Sequence, residues 1–274
     1  MSAEIIRSKA NPILKRVSAI LAGREPETLV LEGDRLVDDA LGARLAIELV
    51  LVAEERPERA LDLSRYKVPV KLVETALLQR ISALKTSPGI LALCPAPRAI
   101  AIADIALDPR ALLLVAAGVA DPGNLGALAR SAEAFGVRAL IVASGSASPW
   151  NEKALRGSMG SLLRVPVCSG VDGDRIAMEL RSRGVRQVCA ATRGGADPAR
   201  FDWSGALALW VGGETGSLPR AAREFESVTI PMAGGVESLN LTVAASLLLS
   251  AAGRVAHAKS VAKVDAKKRA TPRG

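Results

Sequence analysis

The chain is poor in aromatic residues, histidine and cysteine. Trp, Tyr and Phe together make up 3% of its 274 residues. Its cores must therefore be built from Leu, Val, Ile and Ala, and recognition through rows of stacked aromatics, the usual device of single-strand binders, is disfavoured. The only histidine, His257, has no nucleophile elbow near it. Ser-His-Asp and Cys-His chemistry and His-based metal sites are thereby left without support. Cys94, Cys168 and Cys189 are far apart and form no C-x-x-C pair, which removes zinc knuckles and thioredoxin chemistry and leaves them as small buried apolar residues. No two glycines stand two apart and no glycine precedes a lysine, so neither the dinucleotide fingerprint nor a Walker A loop is present. No uncharged apolar run approaches the length of a membrane span. No basic region followed by an apolar run and cleavage site is apparent near residue 1. These absences predict a cytoplasmic protein with no membrane partner.

What is present suits a globular chain. Hydrophobic residues make up 49% and charged residues 23%, enough to bury a core, and the length favours two domains. The net charge of +8 is unevenly spread. Residues 1–98 carry 15 basic and 13 acidic side chains, residues 99–258 carry 15 and 14, and the last 16 residues carry six and one. A basic tail suits a polyanion binder, although basic tails are common.

Residues 1–97 alternate helix-like and strand-like stretches. Ile13, Leu14, Val17, Ile20 and Leu21 recur at helical spacing within 11–22. Strands are predicted at 28–33, 46–55, 68–74 and 89–94, and a helix at 34–41. Residues 98–110, after a proline-punctuated break, read as a linker. A second α/β unit then runs over 111–258. Its continuous apolar runs at 112–119, 139–144, 185–192 and 206–213 suit strands buried on both faces. Helices are predicted at 124–135, 151–158 and 173–183, and a long one at 238–258. The alternation implies a mostly parallel sheet with helices on both faces. Residues 259–274 read as a disordered basic tail.

Three segments just after predicted strands carry residues that a plain α/β domain does not need, at the place where open parallel sheets bind ligands. In DPGNLGALARSAEAFG (121–136), a tight turn leads into a helix for which Asn124 is a natural N-cap, with Arg130 off its apolar stripe. In LWVGGETGSLP (209–219), Glu214 is held among glycines, with nothing local to pair it. In TIPMAGGVESLNLTVAASLLL (229–249), a short strand Ile-Pro-Met meets a glycine loop, and Ser238 and Asn240 open a helix. Such a helix start can bind an anion or an adenine edge through backbone groups. Each segment, taken alone, is also an ordinary capped helix or strand-to-helix turn.

Together and in this order, they resemble the three motifs of the SpoU/TrmH branch of the SPOUT RNA methyltransferases. Asn124, Gly126, Arg130, Ala134 and Gly136 fit the first. Gly213, Glu214, Gly216 and Leu218-Pro219 fit the second. Ile230-Pro231-Met232, Gly234, Ser238-Leu239-Asn240 and Val243-Ala244 fit the third. The stretch 154–167 is similar to the family's Arg-x-Ser-x-Gly segment. NPILKRV near the start and LVLEGDRLVDDAL (29–41) resemble the family's substrate-binding domain.

The resemblance implies a trefoil-knotted SPOUT sheet over 111–258, a smaller L30e/L7Ae-like RNA-binding domain over 1–97, and a homodimer whose active site is completed across the interface. It implies S-adenosyl-L-methionine as cofactor, held by Gly213, Ile230, Met232, Leu239 and Leu241, with no metal. Its catalytic set maps to Asn124, Arg130, Glu214, Ser238 and Asn240. Family precedent makes Arg130 the group that takes the ribose proton. A guanidinium pKa above about 12 resists that role and favours electrostatic stabilisation and phosphate anchoring. The expected substrate is a ribose 2′-hydroxyl of RNA, ribosomal rather than transfer RNA, since the two-domain layout resembles the rRNA enzymes. A tRNA 2′-O-methyltransferase and a catalytically silent RNA-binding protein of the same fold are the alternatives.

Overall fold

The computed structural model describes residues 5–212 and 218–253. Gly213, Glu214, Gly216 and the basic tail lie outside the described residues. The chain divides into two compact units, residues 1–98 and 99–274.

The first unit runs β1 (Ile5–Ile6), α1 (Pro12–Leu21), β2 (Thr28–Glu32), α2 (Asp34–Gly42), β3 (Leu49–Ala53), α3 (Pro57–Ser64), β4 (Val70–Val73), α4 (Thr75–Ile81) and β5 (Ile90–Pro95). Its five strands form one mixed sheet in the order β1-β4-β3-β5-β2, with β5 antiparallel to both β2 and β3. Helix α1 starts where Asn11 accepts the Ile13 amide at 2.9 Å and Pro12 supplies a preset φ. It buries Leu14, Val17 and Ile20 against Leu51, Leu77, Leu78 and Leu93. Gly33, at φ 98, makes the sharp turn from β2 into α2, a backbone state that a side chain would strain.

The second unit runs β6 (Leu112–Ala117), α5 (Pro122–Ala134), β7 (Ala139–Ala143), α6 (Glu152–Ser158), α7 (Ser161–Arg164), β8 (Val167–Val171), α8 (Gly173–Ser182), β9 (Arg186–Ala190), β10 (Leu207–Gly212), β11 (Glu226–Val228) and α9, described over 241–253. All six strands are parallel, in the order β11-β9-β10-β6-β7-β8. Every residue of β6 and β7 is buried, as the continuous apolar runs predict. Trp210 is wholly buried, and its indole N–H donates to Gln187, whose own amide donates to the Ala177 carbonyl, so this polar pair is satisfied inside the core.

Several elements depart from the sequence reading. Ile102 and Ile105, in the stretch read as linker, are buried in the core of the second unit. Helices α3 and α4 were not expected. α3 buries only Leu63 and α4 is seven residues long, too little for a periodic signal. Ile230-Pro231-Met232 is not a strand. The short strand is Glu226–Val228, and Pro231, which has no N–H to give a ladder, lies beyond its end. Helix α9 begins three residues later than expected, at 241.

Candidate active site

Two features follow the carboxyl ends of the parallel strands: the helix pair α5–α6, and a groove formed by the segments after β9, β10 and β11.

Helix α5 is capped by Asp121 rather than by Asn124. The Asp121 carboxylate accepts the Asn124 amide at 2.8 Å and pairs with Lys153 at 2.7 Å. The Lys153 hydrogen bond, and then the Asn124 amide, hold the Asp121 carboxyl below the usual carboxylate range. Asn124 thus lies within the first turn, half-buried, with its side chain released from capping. Gly126 explains itself by packing. A Cβ there would lie 2.3 Å from the Ala154 carbonyl oxygen and 2.8 Å from the Ser158 nitrogen, so α6 runs against the backbone of α5. Gly157 faces it from α6, where a Cβ would come within 3.3 Å of the Gly123 oxygen.

Arg130 is exposed on α5, and its Nη1 donates to the Met159 sulfur at 3.0 Å. Among the described residues it forms no ion pair. Met159 itself sits in the left-handed region, at φ 49 and ψ 46, where α6 ends. That corner is fixed by a network the sequence did not announce. Arg164 grips Glu133 with Nε at 2.6 Å from Oε1 and Nη2 at 2.9 Å from Oε2. Nη2 also donates to the Met159 carbonyl at 3.3 Å, and the buried Ser161 hydroxyl donates to Glu133 at 2.6 Å. Arg164 above all holds the Glu133 carboxyl below its usual range. The fork ties α5 to α7 and fixes the Met159 contact of Arg130.

The groove has a volume of about 850 Å³ and lies where open α/β sheets take their ligands. Ile230, Met232, Leu239 and Leu241 line it, as do Ser238 and Asn240. So four of the five expected cofactor residues and two of the five expected catalytic residues come together. Asn124 and Arg130 are on α5 and do not line the groove. Gly213 and Glu214 fall outside the described residues.

Asn240 is the N-cap of α9: its side chain accepts the Thr242 amide at 2.9 Å and its carbonyl the Ala244 amide at 2.9 Å. The floor is pinned by backbone. Gly195 packs against Ser227 and Val228 so closely that a Cβ would sit 2.7 Å from the Val228 carbonyl carbon. Its amide donates to the Thr229 hydroxyl at 2.9 Å. Arg193 and Arg223 also line the groove, unforeseen from the sequence because no motif contains them. Cys189 reaches it too, but burial pushes its thiol up to about 11, so it is no nucleophile near neutral pH. Helix α9, which closes the groove, is joined to α5 by the Ser131–Ser246 hydroxyl contact at 2.7 Å.

A parallel α/β unit with a groove of mixed apolar and polar lining at its strand ends, and on the neighbouring helix an arginine with no carboxylate partner among the described residues, defines a ligand-binding domain of the nucleotide-handling kind. More particularly, the chain belongs to the SpoU rRNA Methylase family, whose model matches residues 111–250. It is 33% identical over 229 residues to the 23S rRNA (guanosine(2553)-2′-O)-methyltransferase RlmP of Bacillus subtilis, covering 81% of this chain and 87% of that one. The AdoMet-bound rRNA methyltransferase from Sinorhizobium meliloti superposes with a TM-score of 0.81 at 26% identity, over 92% of this chain and 98% of that one. The SpoU methyltransferase AviRb from Streptomyces viridochromogenes, in complex with AdoMet, gives 0.80 at 26% identity over 90% and 98%.

Proposed function

We propose that this protein transfers a methyl group from S-adenosyl-L-methionine to a ribose 2′-hydroxyl of ribosomal RNA. The observation that carries the reading is the groove: Ile230, Met232, Ser238, Leu239, Asn240 and Leu241, from one motif, line a single cavity of about 850 Å³. Its size and its mixed lining, apolar from Ile230, Met232, Leu239 and Leu241 and polar from Ser238 and Asn240, suit a nucleoside-bearing cofactor. Ile230, Met232, Leu239, Leu241 and Gly213 would hold it. The bound cofactor supplies a methyl group on a sulfonium sulfur, open to in-line displacement.

The chain's own task is to place the ribose oxygen and manage its charge. Orientation alone is worth on the order of 7–11 kcal/mol in ideal cases. Arg130 suits the second task. It is exposed, has no carboxylate partner among the described residues, and is steadied by Met159. With the ribose proton released to solvent, a permanently charged guanidinium stabilises the developing alkoxide or anchors a flanking phosphate. Asn124, about one and two-thirds helical turns earlier on α5, orients the nucleotide. Ser238 and Asn240 line the reacting end of the groove.

Arg130 and the groove would form one site across a homodimer, Arg130 of one subunit facing the groove of the other. Supporting this are the absence of Arg130 from the groove lining and the pair Val243 and Leu247, which α9 leaves 48% and 49% exposed one turn apart. The first unit would act as an RNA-binding domain and the protein would work in the cytoplasm. No described helix is long and apolar enough to cross a membrane.

The test is incubation with labelled S-adenosylmethionine and separate pools of unmodified rRNA and tRNA, followed by digestion to nucleosides. A 2′-O-methylated nucleoside from rRNA is expected. Label in tRNA alone would move the substrate class. Failure of both transfer and cofactor binding by calorimetry would replace the enzyme with a silent RNA-binding protein.

A further inference from the structure

The first unit has a cavity of its own, of about 510 Å³, in the cleft between α1 and α4. Its floor is apolar, from Leu14, Leu77 and Ile81, and its rim carries Lys9, Lys15, Arg24 and Arg80. No carboxylate lines it. Residues 1–98 hold 15 basic side chains, of which Arg7, Arg16, Arg35, Arg56, Arg59 and Arg65 are in ion pairs with neighbouring carboxylates. The four rim cations form none among the described residues. Nine of the fifteen form no ion pair among the described residues, and four of those nine, with no carboxylate between them, stand around this one concavity.

Unpaired like charges held together repel, so the cleft lowers its own energy by taking an anion. The anion must be extended, because four cations surround the opening, and it must carry an apolar or flat portion to cover Leu77 and Ile81. A single-stranded RNA segment meets both demands: consecutive phosphates reach the rim while one unstacked nucleoside sits on the floor. A duplex, whose bases are stacked inside, can supply only the phosphates.

We propose that the α1–α4 cleft of the first unit is a docking site for an unpaired RNA nucleotide and its flanking phosphates. The site rests on the reading of RNA as substrate and adds to it a defined place outside the methyl-transfer groove.

The experiment uses the full-length protein and a fluorescein-labelled 20-nucleotide oligouridylate, titrated by anisotropy at several salt concentrations. The variant K15A/R24A/R80A removes three rim cations; K71A/K85A/R98A removes three exposed cations of the same unit from outside the cleft. Thermal melting and calorimetric binding of S-adenosylmethionine establish that both variants are folded.

The cleft variant should bind at least about tenfold more weakly near 0.1 M salt, with the salt slope reduced by roughly two, as expected for three lost contacts to a single strand. The control should change by less than about twofold. Equal losses in both variants would reduce the effect to net charge and overturn the proposal, as would no loss in either. A blunt RNA duplex that competes as well as the oligouridylate, or uridine monophosphate that binds as tightly, would also overturn it. Methyl transfer is scored separately. Loss of oligouridylate binding in the cleft variant upholds the cleft even if the wild type methylates no RNA supplied, whereas normal transfer with unchanged binding defeats the cleft and leaves the enzyme reading intact.

Discussion

The two halves of the candidate active site are built in opposite ways. The α5 side, with Asn124 and Arg130, is positioned by interior contact: glycines that let α6 touch the α5 backbone, and a Glu133–Arg164–Ser161 network half out of water. The groove side is positioned by backbone. Residues 233–238 are exposed, and the cavity is shaped by Gly195 against Val228, by the Thr229 hydroxyl and by the Asn240 cap. In the proposed role Arg130 would act electrostatically, and a group that does so must not move when charge develops, which a packed helix pair provides.

The comparison breaks most visibly at Gly126. Gly126→Val has no room on the α6 side and should destabilise the protein by at least about 3 kcal/mol or prevent folding. Gly157→Ala, with 3.3 Å to its nearest neighbour, should cost only about 1 kcal/mol. Thermal denaturation of the pair measures the difference, and equal effects would mean that α6 can shift away from α5.

A smaller effect is expected at Glu133. Glu133→Gln keeps the shape but loses the ionic fork, and should cost about 1–2 kcal/mol at neutral pH. The sign of its pH dependence follows from the depressed carboxyl. In the folded protein the group stays ionised to lower pH than in the unfolded chain. Its contribution is therefore present above the ordinary glutamate range and is lost as pH falls through the folded value. Stability of the wild type and the variant should converge as pH drops below about 4; a gap unchanged from pH 7 to pH 3 would assign the loss to packing.

Smallest is the groove-side counterpart. Asn240→Ala removes the cap of α9 and should cost about 1 kcal/mol. Calorimetry should also show weaker cofactor binding, because the capped turn is part of the groove wall. Asn240→Asp, which can still cap, should restore stability more fully than it restores binding.

How much of this was legible follows the range of the contacts. The buried parallel strands announce themselves because β6, β7 and β10 are continuous apolar runs, and Ile230, Met232, Ser238, Leu239, Asn240 and Leu241 of the groove because one motif contains them, whereas Arg193 and Arg223 belong to none. β8, Val167–Val171, hides behind a glycine at φ 78 and a register shift opposite Val142 and Ala143. The cap of α5 was misassigned because Asp121 and Asn124 both suit an N-cap, and only the fold shows that Pro122 and Gly123 already lie in the first turn. The Glu133–Arg164 fork spans 31 residues and lies on two helices, so no local periodicity reveals it. The absence of Arg130 from the groove lining is likewise a property of the folded chain.

That absence motivates the central proposal, that Arg130 and the groove would belong to one active site formed between two copies of the chain. Arg130→Ala should abolish methyl transfer, with cofactor binding near that of the wild type. A groove variant, Leu239→Arg, should abolish cofactor binding. Refolding the two inactive proteins together should restore about a quarter of wild-type activity, since half the dimers formed are mixed and each mixed dimer regains one intact site. No recovery, with mixed dimers shown to form, would place Arg130 and the groove of the same subunit in one site and contradict the account.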